Sequence, residues 1–436
     1  MPKYDIFHHD FQEKPYWWEA YQPASETLTG VPAEARVAII GAGYAGLATA
    51  LELHKLGVEA VVFDAEDPGY GASTRSGGVV DGRSSIKQRL IGKEPCPAQA
   101  AAMETDAANG LALMEKLITE ESIDCGWTRG GRFLGAWSPK HFESMQAQAA
   151  MLNEHGQANA EAVPRARQRE EIGSDFYYGG LAINEGGHVH PALYFKGLYQ
   201  ACEKRGVGIC AQAPVRELRR HNNGWLIKTA RGEMASGDVV IATNGYTGDI
   251  TPTFKRRLLP LRPYMIATES LPGDLARNLS PKNRAFSDSQ RIVAFFRLSS
   301  DGRRMIFGSR VKWTDISGAE MAAPRYDIMI ARYPQLAGYK VTHAWHGNVA
   351  LTLDERPHTG MLDGLHYALG CNGSGVAMMT YLGTQVARKI ARAANYTCAF
   401  DRDFPDHPLY NGNSRWFLPL VGNYLRARDW FDRNLG

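Results

Sequence analysis

Residues 36–64 read RVAIIGAGYAGLATALELHKLGVEAVVFD. The opening apolar run, 36–41, predicts a short buried parallel strand. The turn Gly41-Ala42-Gly43-Tyr44-Ala45-Gly46 has the spacing GxGxxG, and a helix is expected to follow. That helix carries apolar Leu47, Leu51 and Leu53, small Ala45, Ala48 and Ala50, and a stop at Gly57. Residues 58–64 predict the second strand of one βαβ unit. The glycine spacing alone is weak; its place between a strand and a helix is what points to a dinucleotide. Gly41 permits the tight turn, Gly43 lets the backbone approach a pyrophosphate, and Gly46 lets helix and strand pack closely. The helix start offers free N–H groups and partial positive charge to phosphates. Asp64 ends the second strand, 18 positions after Gly46, where a carboxylate accepts hydrogen bonds from both hydroxyls of an adenosine ribose. A glycine-rich turn with a coincidental aspartate is the blander reading, and it leaves the context unexplained.

Outward from this unit, residues 1–34 read as an irregular arm. Tyr16, Trp17 and Trp18 are expected to anchor it on the body, since three adjacent exposed aromatics invite aggregation; a lid or partner surface is the alternative. Helices are predicted over 98–122, 139–155, 192–205 (opened by Pro191) and about 376–392. Strands are predicted near 131–137, opening the strand-then-turn stretch 179–191, in VGICAQ, VREL and GWLIKT, and at 238–245, with sheet text again over 261–270, 291–298, 303–312 and from 341. Text alternating between α/β and sheet-only stretches predicts an α/β fold: a discontinuous Rossmann-like domain interleaved with a mixed or antiparallel sheet domain. The expected division gives the nucleotide domain 35–93, 150–250 and 341–395. The sheet domain takes 94–149 and 251–340 with part of 175–190, and 396–436 form an extension.

Composition limits the partners. Forty-nine basic against 46 acidic residues leave a net charge of +3, with no concentrated basic face for nucleic acid. No run of 18 apolar residues occurs, so no transmembrane segment is expected. The N-terminus lacks a secretory pattern. Six scattered cysteines without a CxxC pair argue against zinc and against a disulfide framework, and for a reducing, cytoplasmic setting. No metal is expected: His188 and His190 in GGHVHP are spaced like ligands, but no cysteine or carboxylate set completes a site.

Further segments separate FAD from NAD by resemblance. GASTRSGG (71–78), DVVIATNGYTGD (238–249) and the block from WHGNVALTLDERPHTGML to GCNGSGVAMM (345–379) resemble flavin-contact segments of the D-amino-acid oxidase, glycine oxidase and sarcosine oxidase superfamily. IDCGWTRGGRFLGAW, GGHVHP, RLSSDGRRMIFG and HGNVALTL are most similar to the γ-glutamylputrescine oxidoreductase group. The resemblance covers essentially the whole chain and implies FAD. It places the cofactor along Gly41 to Gly46, Asp64 and Ala65, and along Gly71, Ala72, Ser73, Thr74, Arg75, Ser76, Gly77 and Gly78. Val215, Thr243, Asn244, Gly245, Leu351, Gly373, Ser374, Gly375 and Val376 complete the set. Physically, the serine-rich loop offers hydroxyls and one cation to a diphosphate. The helix starting near Val376 would aim N–H groups at the flavin edge that becomes anionic on reduction.

Departures from the family narrow the chemistry. The glycine and D-amino-acid oxidase branches hold the substrate carboxylate with an arginine after WxG; here the stretch is Gly347-Asn348-Val349-Ala350-Leu351, which disfavours plain α-amino acids. Ile306 stands where the sarcosine branch has an oxygen-activating lysine, leaving the electron acceptor open. No cysteine occurs between 345 and 360, so FAD is expected to be non-covalent, with Cys371 the one residue that qualifies this. Substrate candidates are Tyr264, Phe296, Arg297, Arg310, Trp345 and His346. The aromatics would wall an alkylamine or fill the core. His346 would keep the amine neutral or serve structure. Either arginine would pair with a remote anion, or all of Arg291, Arg297, Arg303, Arg304 and Arg310 would line solvated strands.

In 418–436, Leu420, Tyr424, Phe431 and Leu435 fall at helical spacing, for packing on the body or a subunit contact, with a membrane-surface helix as the sharper alternative. The leading expectation is an FAD enzyme oxidising the C–N bond of a small amine, with O2 as acceptor. The alternatives are a dehydrogenase with a quinone or protein acceptor, and a non-catalytic FAD subunit of a larger complex. Oligomeric state is open.

Overall fold

The computed structural model describes residues 5–24, 30–82, 95–154, 159–309, 316–394, 396–413 and 416–435. Two sheets organise them. The first has eight strands. The fingerprint strand Glu34–Ile40 runs parallel between Ala60–Phe63 and Gly232–Ile241, and Gly208–Cys210 extends the far side. The long 232–241 strand pairs antiparallel with Gly224–Thr229 at its start and parallel with Leu365–Leu369 at its end. Parallel strands buried on both faces require continuous apolar text, which 37–40 and 60–63 supply.

Helices Tyr44–Lys55, Pro97–Glu120, Pro191–Lys204 and Gly375–Ile390 share one core with this sheet, through Leu47, Leu51, Met103, Met114, Leu198 and Leu382. The expected division is therefore corrected at two places. Helix 97–120 belongs to the nucleotide side, because Met103, Ala107 and Leu111 pack there. Strand Ala160–Val163, assigned above to the nucleotide domain, forms the edge of the other sheet beside Gly180–Ile183.

That second sheet has nine strands. Its centre is Val341–His346, Tyr264–Thr268, Met305–Ser309, Phe295–Leu298, Ala285–Asp288 and Arg132–Gly135, in that order. One face packs on a helix, Gly318–Arg332, that the sequence reading missed. Its signal was present: Ser317 Oγ accepts from Glu320 N–H at 3.1 Å, and Glu320 Oε2 accepts from Ser317 N–H at 3.0 Å. Pro324 within the helix hid it.

The arm is not irregular throughout. Phe7–Gln12 adds a parallel edge strand beside Val341–His346, and Trp17 is fully buried. The terminal helix Leu418–Asn434 departs from expectation more sharply. It docks by polar groups: Asp429 accepts from the N–H groups of Arg291 (3.0 Å) and Ile292 (3.2 Å). The Arg433 guanidinium lies 4.2 Å from the Trp137 ring centre and 4.0 Å from that of Phe176. Leu420, Tyr424, Phe431 and Leu435, expected to pack on the body or a subunit, are exposed on this chain. Among the described residues no helix is long and apolar enough to cross a membrane.

Candidate functional site

A cleft of about 480 Å³ opens where the parallel strands end at Ile40, Phe63 and Ile241. Gly41 turns the chain there with φ +107°, and a Cβ on it would stand 2.8 Å from the Ala242 carbonyl oxygen. A Cβ on Gly46 would strike the Gly41 oxygen at 1.9 Å, so only glycine lets this helix start so close to the strand. Gly43 is different: its side meets only Ser73 Oγ, at 3.0 Å, which leaves room for a ligand.

Asp64 sits at the floor, accepting from Ala42 N–H at 2.7 Å and from Glu66 N–H at 3.0 Å. Burial, the largest effect, pushes its carboxyl up to about 6 despite those bonds. Such a desolvated acceptor gains most from ligand hydroxyls. Two helices present their first turns to the cleft, at Tyr44 and at Gly375 and Val376.

Most predicted cofactor residues converge here. Gly41, Gly43, Tyr44, Ala45, Asp64, Ala65, Gly71, Ala72, Ser73, Ser76, Val215, Thr243, Asn244, Gly373, Gly375 and Val376 line the cleft. Others build its wall from behind. Thr74 is buried, donating to the Gly69 carbonyl at 2.8 Å and accepting from Trp18 Nε1 at 2.9 Å. Arg75 donates to the Tyr70 carbonyl at 2.7 Å and lies between the rings of Tyr70 and Trp18. Gly78 is pressed on the Val189 carbonyl, and Gly245 on Asn348. Asn244 Oδ1 accepts from the N–H groups of Gly370 (3.0 Å) and Cys371 (3.3 Å), tying two cleft turns together. Ser374 donates to Asp81 at 3.0 Å. Leu351 is a correction: its strand, Val349–Thr352, pairs with Leu258–Leu261, and it packs beside Leu259, Leu353 and Tyr410, away from the cleft.

The substrate-side candidates fare differently, because sheet residues alternate between faces. Cross-strand partners Trp345, Met265, Gly308 and Phe295 share one face. That face meets loop 72–78: a Cβ on Gly77 would lie 3.3 Å from Phe295 and 3.6 Å from Met265. Tyr264, His346 and Phe296 belong to the opposite register. Phe296 is core, stacked between Phe286 and Phe307 under helix 318–332. Tyr264 is buried with its hydroxyl donating to the Ile316 carbonyl at 2.9 Å, and the His346 ring packs on it at 5.1 Å.

Two candidates on the loop-facing side are occupied by structure. Trp345 is buried against Trp17 and donates Nε1–H to the Arg75 carbonyl at 2.8 Å. Arg297, fully buried, donates to the carbonyls of Gly77 (2.6 Å), Val189 (2.6 Å) and Leu298 (2.9 Å) with its guanidinium 4.8 Å from the Trp17 ring centre. It is no substrate clamp; it pins the loop. Burial lowers its pKa to about 9. His188 and His190 pack beneath it, lowered to about 3 and about 4 by burial first and by the Arg297 charge second. Arg310 lies outside the described residues.

The reading from sequence also missed residues at the site. Tyr70, Tyr246 and Met379 line the cleft, beside the Cys371 already singled out. Phe295, Met265 and Gly308 face the loop, and strand parity was the signal that could have found them. Asp81 joins Arg132 and Ser374, and Arg132 reaches Ser287 at 3.1 Å, so one polar chain links the cleft's second helix to the nine-stranded sheet.

A nucleotide cleft at the ends of parallel strands, flanked by a separate sheet that closes on its glycine-serine loop, defines a flavoprotein of the oxidoreductase class. The chain belongs to the FAD dependent oxidoreductase (DAO) family, whose model matches residues 36–389. It is 30% identical to γ-glutamylputrescine oxidoreductase of Escherichia coli (strain K12) over 397 residues, 90% of this chain and 92% of that protein. Similarity to glycine oxidase of Bacillus subtilis (strain 168) is 22% over 330 residues, 74% of this chain and 83% of that one. In fold it is similar to glycine oxidase from Geobacillus kaustophilus, with TM-score 0.70 and 19% identity over 85% of this chain and 97% of the other. L-proline dehydrogenase from P. horikoshii matches with TM-score 0.69 and 19% identity, covering 86% of this chain and 96% of that one. The cofactor is therefore FAD, held without a covalent link as is typical of the family. The residues fit it: a glycine cradle open at Gly43, a desolvated carboxylate and two helix starts.

Proposed function

We propose that the protein oxidises the C–N bond of a small amine whose far end carries an anionic or amide group. The observation that carries this reading is the apolar wall facing the loop. Met265, Phe295 and Ile306 share that face, Val349 lines the cleft, and no described side chain there offers a carboxylate clamp. Bound FAD supplies the two-electron acceptor, taking a hydride from the carbon that bears nitrogen. The chain's own residues do the rest. The apolar wall excludes water and disfavours the ammonium form, so the amine is held neutral without a dedicated base. His346, expected in that role, sits with Tyr264 in the other register. The first turn of helix 375–390 stabilises negative charge developing in the cleft. The product leaves as an imine, and water adds to its C=N bond, giving an aldehyde and releasing the nitrogen as ammonia or, from a secondary substrate, as an amine.

For the remote group we assign Arg262, whose Nε lies 3.4 Å from Asn348 Oδ1 near Tyr246 at the cleft's edge. A γ-glutamylated or similarly anionic aminoalkane is the substrate class this favours. The free cysteines support a reducing, cytoplasmic setting.

O2 is the leading electron acceptor. A dehydrogenase reading draws on one specific observation: Ile306, on the loop-facing side, is buried and uncharged. An anaerobic amine screen watching flavin absorbance tests the whole reading. Bleaching by γ-glutamylputrescine and not by glycine is expected. Rapid recolouring in air with peroxide selects the oxidase; slow recolouring that a quinone accelerates selects the dehydrogenase. A flavin that no amine bleaches leaves a non-catalytic FAD subunit and ends the amine proposal.

A further inference from the structure

Of the fourteen large apolar side chains exposed among the described residues, eight fall between Leu409 and Leu435. The helix at their centre is unusual in its orientation. At 3.6 residues per turn, Leu420, Tyr424, Phe431 and Leu435 fall within an arc of about 60°. They are 68%, 57%, 52% and 71% exposed. Asp429, nearly half a turn away, is the buried anchor described above. A helix that spends its polar face on the body and turns its apolar stripe outward is built to meet something apolar.

Charge says what that is. The helix's two acids are both committed inward: Asp429 to the 291–292 backbone, and Asp432 to Arg291 at 2.5 Å. Its two exposed charges, Arg426 and Arg428, are both basic, and at 3.6 residues per turn Arg428 flanks the stripe while Arg426 lies on the far side. A second copy of the helix would bring a second Arg428 with no exposed carboxylate to answer it. An anionic lipid headgroup answers Arg428 directly, while Leu420 and Phe431 enter the acyl boundary and Trp430 lies at headgroup level. We propose that this face seats the protein on an anionic lipid surface, as a peripheral attachment and not a span. The inference is independent of the amine reading, since nothing in it involves the cleft.

The test is co-sedimentation of the full-length, FAD-loaded protein with vesicles of equal parts phosphatidylcholine and phosphatidylglycerol, against phosphatidylcholine alone. The protein is expected to sediment with the anionic vesicles and to be released by high salt. Arg428→Glu, which removes one positive charge and adds one negative beside the stripe, is expected to weaken partitioning by roughly thirtyfold. Leu420→Ser and Phe431→Ser should each cost about tenfold or more. All these side chains are exposed, so the variants should keep the flavin colour and the unfolding midpoint, which are checked in parallel. The proposal is overturned if anionic vesicles are not preferred, or if the variants partition like the parent. It is equally overturned if light scattering finds a two-copy assembly that Phe431→Ser splits.

Discussion

The cleft of the eight-stranded sheet and the face of the nine-stranded sheet meet along one loop, residues 72–78, yet they encode recognition in different ways. The cleft is made mostly of backbone. Its N–H groups, helix starts and glycine gaps belong to residues consecutive in the chain, so spacing in sequence is spacing in the site. The sheet is made of side chains, and neighbours in a strand point to opposite faces. Phe295 meets the loop while Phe296 fills the core under helix 318–332. One residue of register separates a wall of the site from the interior.

The largest effect should come from the cleft. Gly43→Val is expected to weaken FAD retention at least about a hundredfold, about 2.7 kcal/mol, because its side chain enters the space left for the diphosphate. Only Ser73 Oγ stands near, so the FAD-free chain should still fold. A variant that purifies fully yellow would remove the backbone half of the comparison.

The next pair tests the sheet. Phe296→Ala should cost about 3–5 kcal/mol in urea unfolding, as expected for an aromatic stacked between two others. Phe295→Ala should cost less stability and lower kcat/KM for the amine at least about tenfold. Reversed results would exchange the two faces.

Arg297→Met follows, at about 2–4 kcal/mol, because the buried carbonyls of Gly77 and Val189 lose their donor. The KM of the flavin-loaded variant should hardly move. A substrate clamp would give the opposite split, a raised KM at unchanged stability.

What was legible follows the same division. The fingerprint, Asp64, the serine loop and the 375–390 helix start were readable because each is a local pattern with a local consequence. Thr74, Arg75 and Gly78, expected to touch the cofactor, instead support the cleft from behind. Leu351 was misplaced because its pairing with the 258–261 strand is set by distant chain. For Trp345 and Arg297 the choice between a site role and a structural one stayed open, because sequence does not reveal that Trp17 of the arm, 280 positions before Arg297, covers them. The terminal helix shows the converse failure. Its apolar stripe was plain, but periodicity says only that two faces differ, not which one docks.

Acid sensitivity is the smallest effect and tests how firmly the two regions are joined, because His188 and His190 lie beneath the arginine that pins the loop. Both are lowered below 6.5, so the folded chain keeps them neutral where the unfolded chain is protonated. Their contribution is complete above about pH 6.5 and is lost as pH falls, through about 4 for His190 and about 3 for His188. Each adds up to about 1.4 kcal/mol per pH unit to the slope. Asp64 runs the other way in the FAD-free chain: raised to about 6, it takes up its proton before the unfolded chain does and offsets one histidine between about pH 6 and 4. His190→Asn separates the terms. Asparagine keeps the N-cap that His190 gives Leu193 N–H at 3.3 Å, yet carries no proton. Urea unfolding between about pH 7 and 4.5 should then show a slope about 1.4 kcal/mol per unit shallower, with stability at neutral pH changed by less than about 1 kcal/mol. An unchanged slope would mean that acid enters the fold elsewhere, and that the sheet and the loop are held together by something other than this buried, uncharged pair.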